Sequence, residues 1–222
     1  MAVEIFWISG SPFSWRVLLA AEVKGVAYDS RLLSFDKAEH KTPEYRKLNP
    51  RGRTPFLHDG DFVLTESLAL MVYLDRIGSG PPLFGASPQE TARVFEVLSE
   101  ITNDFERLGI AFAEPILSGT AADAGPAPIL KAAGKLRGEL IHFEARLAVH
   151  DYLAGGSVSA ADLAGYTGFM LALRAAHKDI AKDLDLQLLP LAEHYPHIAE
   201  WTKRMETLPG YDKCYPPHWR EG

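Results

Sequence analysis

Strand-like patterning stops at residue 77, and this break constrains the fold more than any single motif. Before it, short apolar strands alternate with helical stretches; after it no convincing strand follows. Between the two lies Gly-Ser-Gly-Pro-Pro-Leu-Phe-Gly-Ala-Ser, residues 78–87, the one stretch rich enough in Gly and Pro to act as a linker. The pattern divides the chain into a mixed α/β domain at 1–78, a linker at 79–88 and an all-α domain at 89–222. At 222 residues there is enough chain for both halves to bury a core.

Within the first half, Val3 to Ile8 is apolar except for Glu4 and reads as a buried strand. Ser11-Pro12 then supplies an N-cap followed by proline at the first helical position, and Gly25 is placed to end the helix. Ala27 to Leu33 reads as a second strand, so the unit is βαβ and its strands are expected to pair in parallel through a right-handed crossover. Thr42-Pro43-Glu44 repeats the cap-plus-proline signal and opens a short helix to Leu48. Thr54 to His58 and Phe62 to Leu64 flank Asp59-Gly60, a strong hairpin signal. A helix over Glu66 to Ile77 follows, with Leu68, Met71, Val72 and Leu74 spaced along one face. Strand, helix, strand, short helix, hairpin and helix together predict a small mixed sheet with helices on its faces.

The second half opens on Ser87-Pro88-Gln89-Glu90, a capping box whose helix is predicted to run to about Leu117. After a Gly/Ala/Pro loop over 118–128, a second helix is predicted to about Tyr152. Ser159 and Asp162 cap an apolar helix to about Ala176, and Pro196 opens another that stops before Pro209-Gly210.

Composition removes several classes. The formal net charge of −6 argues against general nucleic-acid binding. No apolar run approaches a membrane span, and no basic-plus-apolar leader opens the chain, so a cytoplasmic protein with no membrane partner is expected. The single Cys214 excludes an internal disulfide framework and has no His or Cys at metal spacing, so no metal is expected.

The candidate site gathers around the first strand–helix junction. A hydroxyl at Ser11 stands beside free backbone N–H groups at the positive end of a helix, where an anion is stabilised; an ordinary cap is the plainer role. From Asp36 to Arg53 the chain carries Lys37, Lys41, Arg46, Lys47, Arg51 and Arg53 against three acids, with His40 among them. This is a solvated face or the wall of an anion pocket. Pro55 lacks a donor at the start of a strand, which fits either an edge strand or a cis Thr54-Pro55 bond exposing the Thr54 backbone to an extended peptide. Ser67 opens the next helix and offers its N–H and hydroxyl to a carboxylate, while Glu66 offers a carboxylate to an ammonium. Such a set matches a small peptide-like ligand with an amine, two carboxylates and a reactive group near Ser11.

Ser-Pro-Phe-Ser-Trp-Arg-Val at 11–17, AEHKTPEYRKLNPRGRTP at 38–55, HDGDFVLTES at 58–67, GPPL at 80–83 and SVSAADL at 157–163 resemble the cytosolic glutathione transferases. The resemblance spans nearly the whole chain and is nearest the serine-type phi and tau classes, with some zeta-like features. It implies a thioredoxin-like N-terminal domain, an all-α domain contributing the electrophile pocket, a homodimer, and glutathione as co-substrate in detoxifying conjugation. By resemblance, Ser11 is the catalytic residue that hydrogen-bonds the glutathione sulfur. His40, Lys41 and Arg53 face the glycine end or backbone, and Thr54 beside cis Pro55 pairs with the cysteinyl backbone. Glu66 and Ser67 hold the γ-glutamyl end, and Phe13 borders the electrophile. Arg53 and Thr54 depart from the Gln or Lys and Val or Ile usual there, which implies altered affinity. Ser9 and Ser14 are rival hydroxyls. The fold also admits a glutathione-dependent isomerase of the maleylacetoacetate type, a peroxidase, or a non-catalytic interaction module of the kind found in elongation-factor gamma subunits. Cysteine-type thiol transfer is disfavoured because no cysteine stands near Ser11.

Overall fold

A four-stranded sheet in the order β2-β1-β3-β4 organises the first half of the computed structural model, which describes residues 3–220. β1 (Val3–Trp7) pairs in parallel with β2 (Tyr28–Leu32), setting Ile5 opposite Ser30, and antiparallel with β3 (Phe56–Asp59), setting Ile5 opposite Leu57. β3 also pairs with β4 (Phe62–Thr65) across a two-residue turn in which Gly60 takes φ +62°, a conformation open to glycine. The mixed sheet expected from βαβ followed by a hairpin is therefore present. β3 lies inside the sheet, so Pro55 is not an edge-strand proline. It stands immediately before β3 in a cis bond to Thr54, where its missing N–H takes no ladder bond away.

Two helices cover this sheet. α1 (Pro12–Val23) buries Trp15 and the run Val17–Ala21, is capped by Ser11 and ends at Lys24 with Gly25 at φ +64°. α3 (Ser67–Ile77) packs beside α1 through Leu70, Met71 and Leu74. The short α2 (Pro43–Leu48) is capped by Thr42, whose hydroxyl accepts from Tyr45 N–H at 3.3 Å. Glu66, read from sequence as helical, lies just outside α3 with φ +68° and ψ 110°, a backbone state that costs a non-glycine residue of order 1–3 kcal/mol.

The chain divides into two compact units, one formed by residues up to Phe84 together with those from Leu208 onward, the other by Gly85–Thr207. The division between them falls between Phe84 and Gly85. The tail does not follow the sequence reading, which assigned everything after residue 88 to the helical half. The reason is aromatic packing: Trp15 of α1 meets Tyr211, Tyr215 and Trp219 at ring centroid distances of 6.0, 5.4 and 5.6 Å.

The second unit is helical throughout its described elements. α4 (Pro88–Glu100) opens on the Ser87–Glu90 capping box, passes through a π-helical turn at Ile101–Phe105 and continues as α5 (Glu106–Leu117), so the single run predicted from 88 to 117 is interrupted only in pitch. α6 (Pro126–Leu147) stops before the predicted Tyr152, which instead exchanges two backbone hydrogen bonds with Gly155. α7 (Ala160–Ala176) is buried along most of its length. Short α8 (Asp179–Lys182) and α9 (Leu191–His194) precede α10 (Pro196–Glu206). Phe143, Tyr166 and Phe169 converge on Trp201 and Phe105 packs on Phe143, so these rings form a core. At its centre Asp162, wholly buried, accepts from Leu153 N–H, Ser159 N–H, the Ser159 hydroxyl and Trp201 Nε1–H at 2.7–3.0 Å. Burial pushes its carboxyl up, against those four donors, which favour the charged form.

Candidate functional site

Ser11 holds the junction between β1 and α1. Its Oγ accepts from Ser14 N–H at 3.4 Å, as an N-cap does, and its own N–H donates to Ile8 C=O at 3.4 Å. Ser11 remains partly exposed and lines a cavity of about 810 Å³ with Ile8, Ser9, Gly10, Leu33 and Phe35. Ser14, the rival hydroxyl, is fully buried, and its Oγ accepts from Ile8 N–H at 3.3 Å. Its role is to hold the turn from below. Ser9 lines the same cavity as Ser11 and is hydrogen-bonded to His218.

Ser67 and α1 are joined by a residue the sequence reading passed over. Arg16, buried, donates from Nε and Nη2 to Ser67 Oγ at 3.0 and 2.6 Å, and its guanidinium lies 4.9 Å from the Phe13 ring centre. The Ser67 hydroxyl is thus already an acceptor for a guanidinium, leaving its place at the helix start as what it offers a ligand. Phe13, expected beside an electrophile, packs on Arg16 and is not among the residues lining the cavity at Ser11.

The basic stretch is organised around Gly52 and Arg53. Lys41 Nζ donates to Gly52 C=O at 2.6 Å, while Tyr45 Oη and Asn49 Nδ2 donate to Arg53 C=O at 2.6 and 2.7 Å. These bonds brace the approach to Thr54 and leave the Arg53 side chain exposed. Gly52 is required there, with φ +56° and His40 C=O 3.1 Å from where a Cβ would stand. Glu66 is linked to the same loop by an exposed ion pair with Arg51 at 3.6 Å, worth little in energy but placing both groups on one rim. His40 is buried, stacks on Phe35 at 5.5 Å, and has no hydrogen-bond partner at Nδ1. Burial first, then Lys41 and Arg46, hold its pKa below the usual histidine value, so it stands as a neutral ring.

Cys214 lies on the short α11 (Tyr211–Cys214) of the first unit, buried, with burial pushing its thiol up to about 12. It is a protonated core residue at neutral pH. Among the described residues no three His, Cys, Asp or Glu side chains gather as a metal site, and no helix is long and apolar enough to cross a membrane. Trp219 is core against Trp15, while its neighbour His218 reaches the cavity. Leu32 and Phe35, both largely exposed apolar residues, also line it. Only their exposure reveals these residues; their spacing in sequence carries no signal.

A thioredoxin-like unit followed by an all-α unit is a two-domain architecture whose function is decided by its site and its relatives, not by the fold alone. The family model for the glutathione S-transferase N-terminal domain matches residues 10–77, and that for the C-terminal domain matches 111–209. Glutathione S-transferase A of Pleuronectes platessa is 30% identical over 99% of this chain and 93% of its own length. A glutathione S-transferase from the Antarctic clam Laternula elliptica superposes with a TM-score of 0.81 at 29% identity, covering 100% of this chain and 95% of that one. The theta class enzyme of Xanthomonas axonopodis pv. citri, solved with glutathione bound, gives 0.79 at 29% identity and 96% of each chain. The chain belongs to the glutathione S-transferase family and is a glutathione transferase by fold, sequence and structural likeness.

Proposed function

We propose that this is a serine-type transferase in which Ser11 hydrogen-bonds the sulfur of bound glutathione and holds it as thiolate for attack on small hydrophobic electrophiles. The observation that carries the reading is the contrast between Ser11, which is partly exposed on a cavity at a helix N-terminus, and Ser14, whose hydroxyl is buried and committed to Ile8. A free thiol of pKa about 8.5 is only about 3% thiolate at pH 7. A hydroxyl donated to the charged form, beside the positive end of α1, lowers that pKa, and a fall of about two units makes thiolate the majority species. Ser11 need not ionise; it donates to the thiolate, which attacks the electrophile while the site fixes their orientation.

In the same reading the glycine end of glutathione lies toward Lys41, Arg53 and the neutral His40 ring, its cysteinyl backbone pairs with Thr54 beside Pro55, and its γ-glutamyl end meets Glu66 and the first turn of α3 at Ser67. Ile8, Leu32, Leu33 and Phe35 supply apolar wall beside Ser11 for the electrophile, in place of Phe13. The working form is a cytoplasmic homodimer using glutathione as co-substrate and no metal. The test is the ultraviolet thiolate absorbance of bound glutathione against pH for wild type and Ser11→Ala. Thiolate formed well below pH 8.5 in wild type alone supports Ser11; identical curves refute it, and absence of glutathione binding refutes the transferase site itself.

A further inference from the structure

We infer that His218 is a positioning residue for Ser11, fastening the Ser9-Gly10-Ser11 turn from the cavity side; the inference rests on the reading of Ser11 as thiolate donor. His218 Nδ1 and Ser9 Oγ are 3.2 Å apart, a hydrogen bond between side chains 209 positions apart in sequence. Between them Gly10 takes φ +82°, and a Cβ there would stand 3.0 Å from His218 Cε1 and Nε2 and 3.2 Å from Trp219 Nε1. Both rings therefore lie against the open face of Gly10, a fit that any side chain at that position would break.

The clamp is rigid at its far end. His218 sits in a single helical turn, Pro217–Trp219, whose Trp219 packs edge-on against Trp15 at 5.6 Å and Tyr215 at 6.2 Å. Trp15 is part of α1, the helix that Ser11 caps, so the tail and the turn are referred to the same helix. From below, Trp15 N–H donates to Ser11 C=O at 2.9 Å and ties the Ser11 backbone to α1, whereas the other bonds of the turn are long, at 3.3–3.4 Å: Ile8 N–H to Ser14 Oγ, Ser11 N–H to Ile8 C=O and Ser14 N–H to Ser11 Oγ. Bonds of that length restrain weakly. The His218–Ser9 contact at 3.2 Å adds a further restraint from above, across Gly10 and on the wall of the cavity that Ser11 lines. Apart from Ser11 itself, none of the residues assigned to glutathione takes part, which separates positioning from binding.

The experiment compares wild type with His218→Ala, Ser9→Ala, the double variant and His218→Asn, whose amide replaces the Nδ1 position. His218→Ala is expected to lower kcat about tenfold, the order for displacing a reacting group by a fraction of an ångström. Glutathione Kd should stay within about twofold, and the thiolate titration of bound glutathione should move toward the free thiol. His218→Asn restores both readouts, and the double variant is no worse than either single, because both remove one interaction. Losses that add across the two sites, or a His218→Ala variant with unchanged kcat and thiolate titration, overturn the inference. Thermal melting accompanies each variant; if His218→Ala is unfolded, Ser9→Ala against wild type decides alone. A wild-type protein that binds no glutathione overturns the Ser11 reading and this inference together, whereas an active wild type matched by the variants overturns the inference only.

Discussion

Replacing Asp162 with alanine is predicted to unfold this protein at a markedly lower temperature without touching the affinity of the folded fraction for glutathione. The carboxylate is the acceptor for three fixed N–H groups, from Leu153, Ser159 and the Trp201 indole, and for the rotatable hydroxyl of Ser159. Alanine leaves the three N–H groups unpaired in a wholly buried place, at about 1–3 kcal/mol each, and removes a capping box worth about 1 kcal/mol. Relief of a buried charge offsets part of this. The net loss is about 3–5 kcal/mol, a large share of the 5–15 kcal/mol that holds a typical protein folded. At about 2–4 °C per kcal/mol for a chain of this size, Tm falls by roughly 10 °C. Asparagine keeps the acceptor facing Leu153 and Trp201 but sets an NH₂ against the Ser159 N–H, so it should lie about midway. Circular dichroism melts give Tm, and titration at a temperature where both proteins are folded gives the glutathione Kd. An alanine variant melting within about 2 °C of wild type refutes the assignment, as does a stable variant that no longer binds.

Arg16→Ala should weaken glutathione binding about tenfold and cost about 2–4 kcal/mol of stability, because it releases Ser67 and empties a buried space; equal Kd values by calorimetry would count against it. His40, with its folded pKa below the unfolded value of about 6.5, binds fewer protons folded than unfolded. Its contribution is whole above about pH 6.5 and is lost as pH falls toward the folded pKa, so His40→Gln should flatten the acid limb of Tm against pH, and parallel limbs would contradict this.

The fold was legible wherever local chemistry and tertiary packing agree. Ser-Pro and Thr-Pro caps, the Asp59-Gly60 hairpin and the Ser159–Asp162 box all specify their own neighbourhood, and each is found in place. Ser11 was legible for the same reason, since an N-cap is a local device that also faces outward. What the sequence left open or passed over involves partners distant in sequence. Nothing near Pro55 says that β1 will close over β3 and make it interior. Arg16 looks like one more residue of an amphipathic helix until Ser67, 51 positions on, accepts its hydrogen bonds. The π-helical turn at Ile101–Phe105 leaves no mark either, because residues in it follow the same apolar spacing as the helices on both sides.

The return of residues 208–220 to the first unit gives that unit a discontinuous chain. Trp15 is made before the helical unit, yet Tyr211, Tyr215 and Trp219, the rings that cover it, emerge from the ribosome only after the whole of Gly85–Thr207. The sheet and α1 can form early, but the cavity side of the Ser11 turn stays unfinished until the helical unit has been translated. Order of synthesis thus completes the cavity wall at Ser11 only after the helical unit has been made, and a chain cut short within that unit carries every residue from Ser11 to Ser67 without the ring that closes over Gly10.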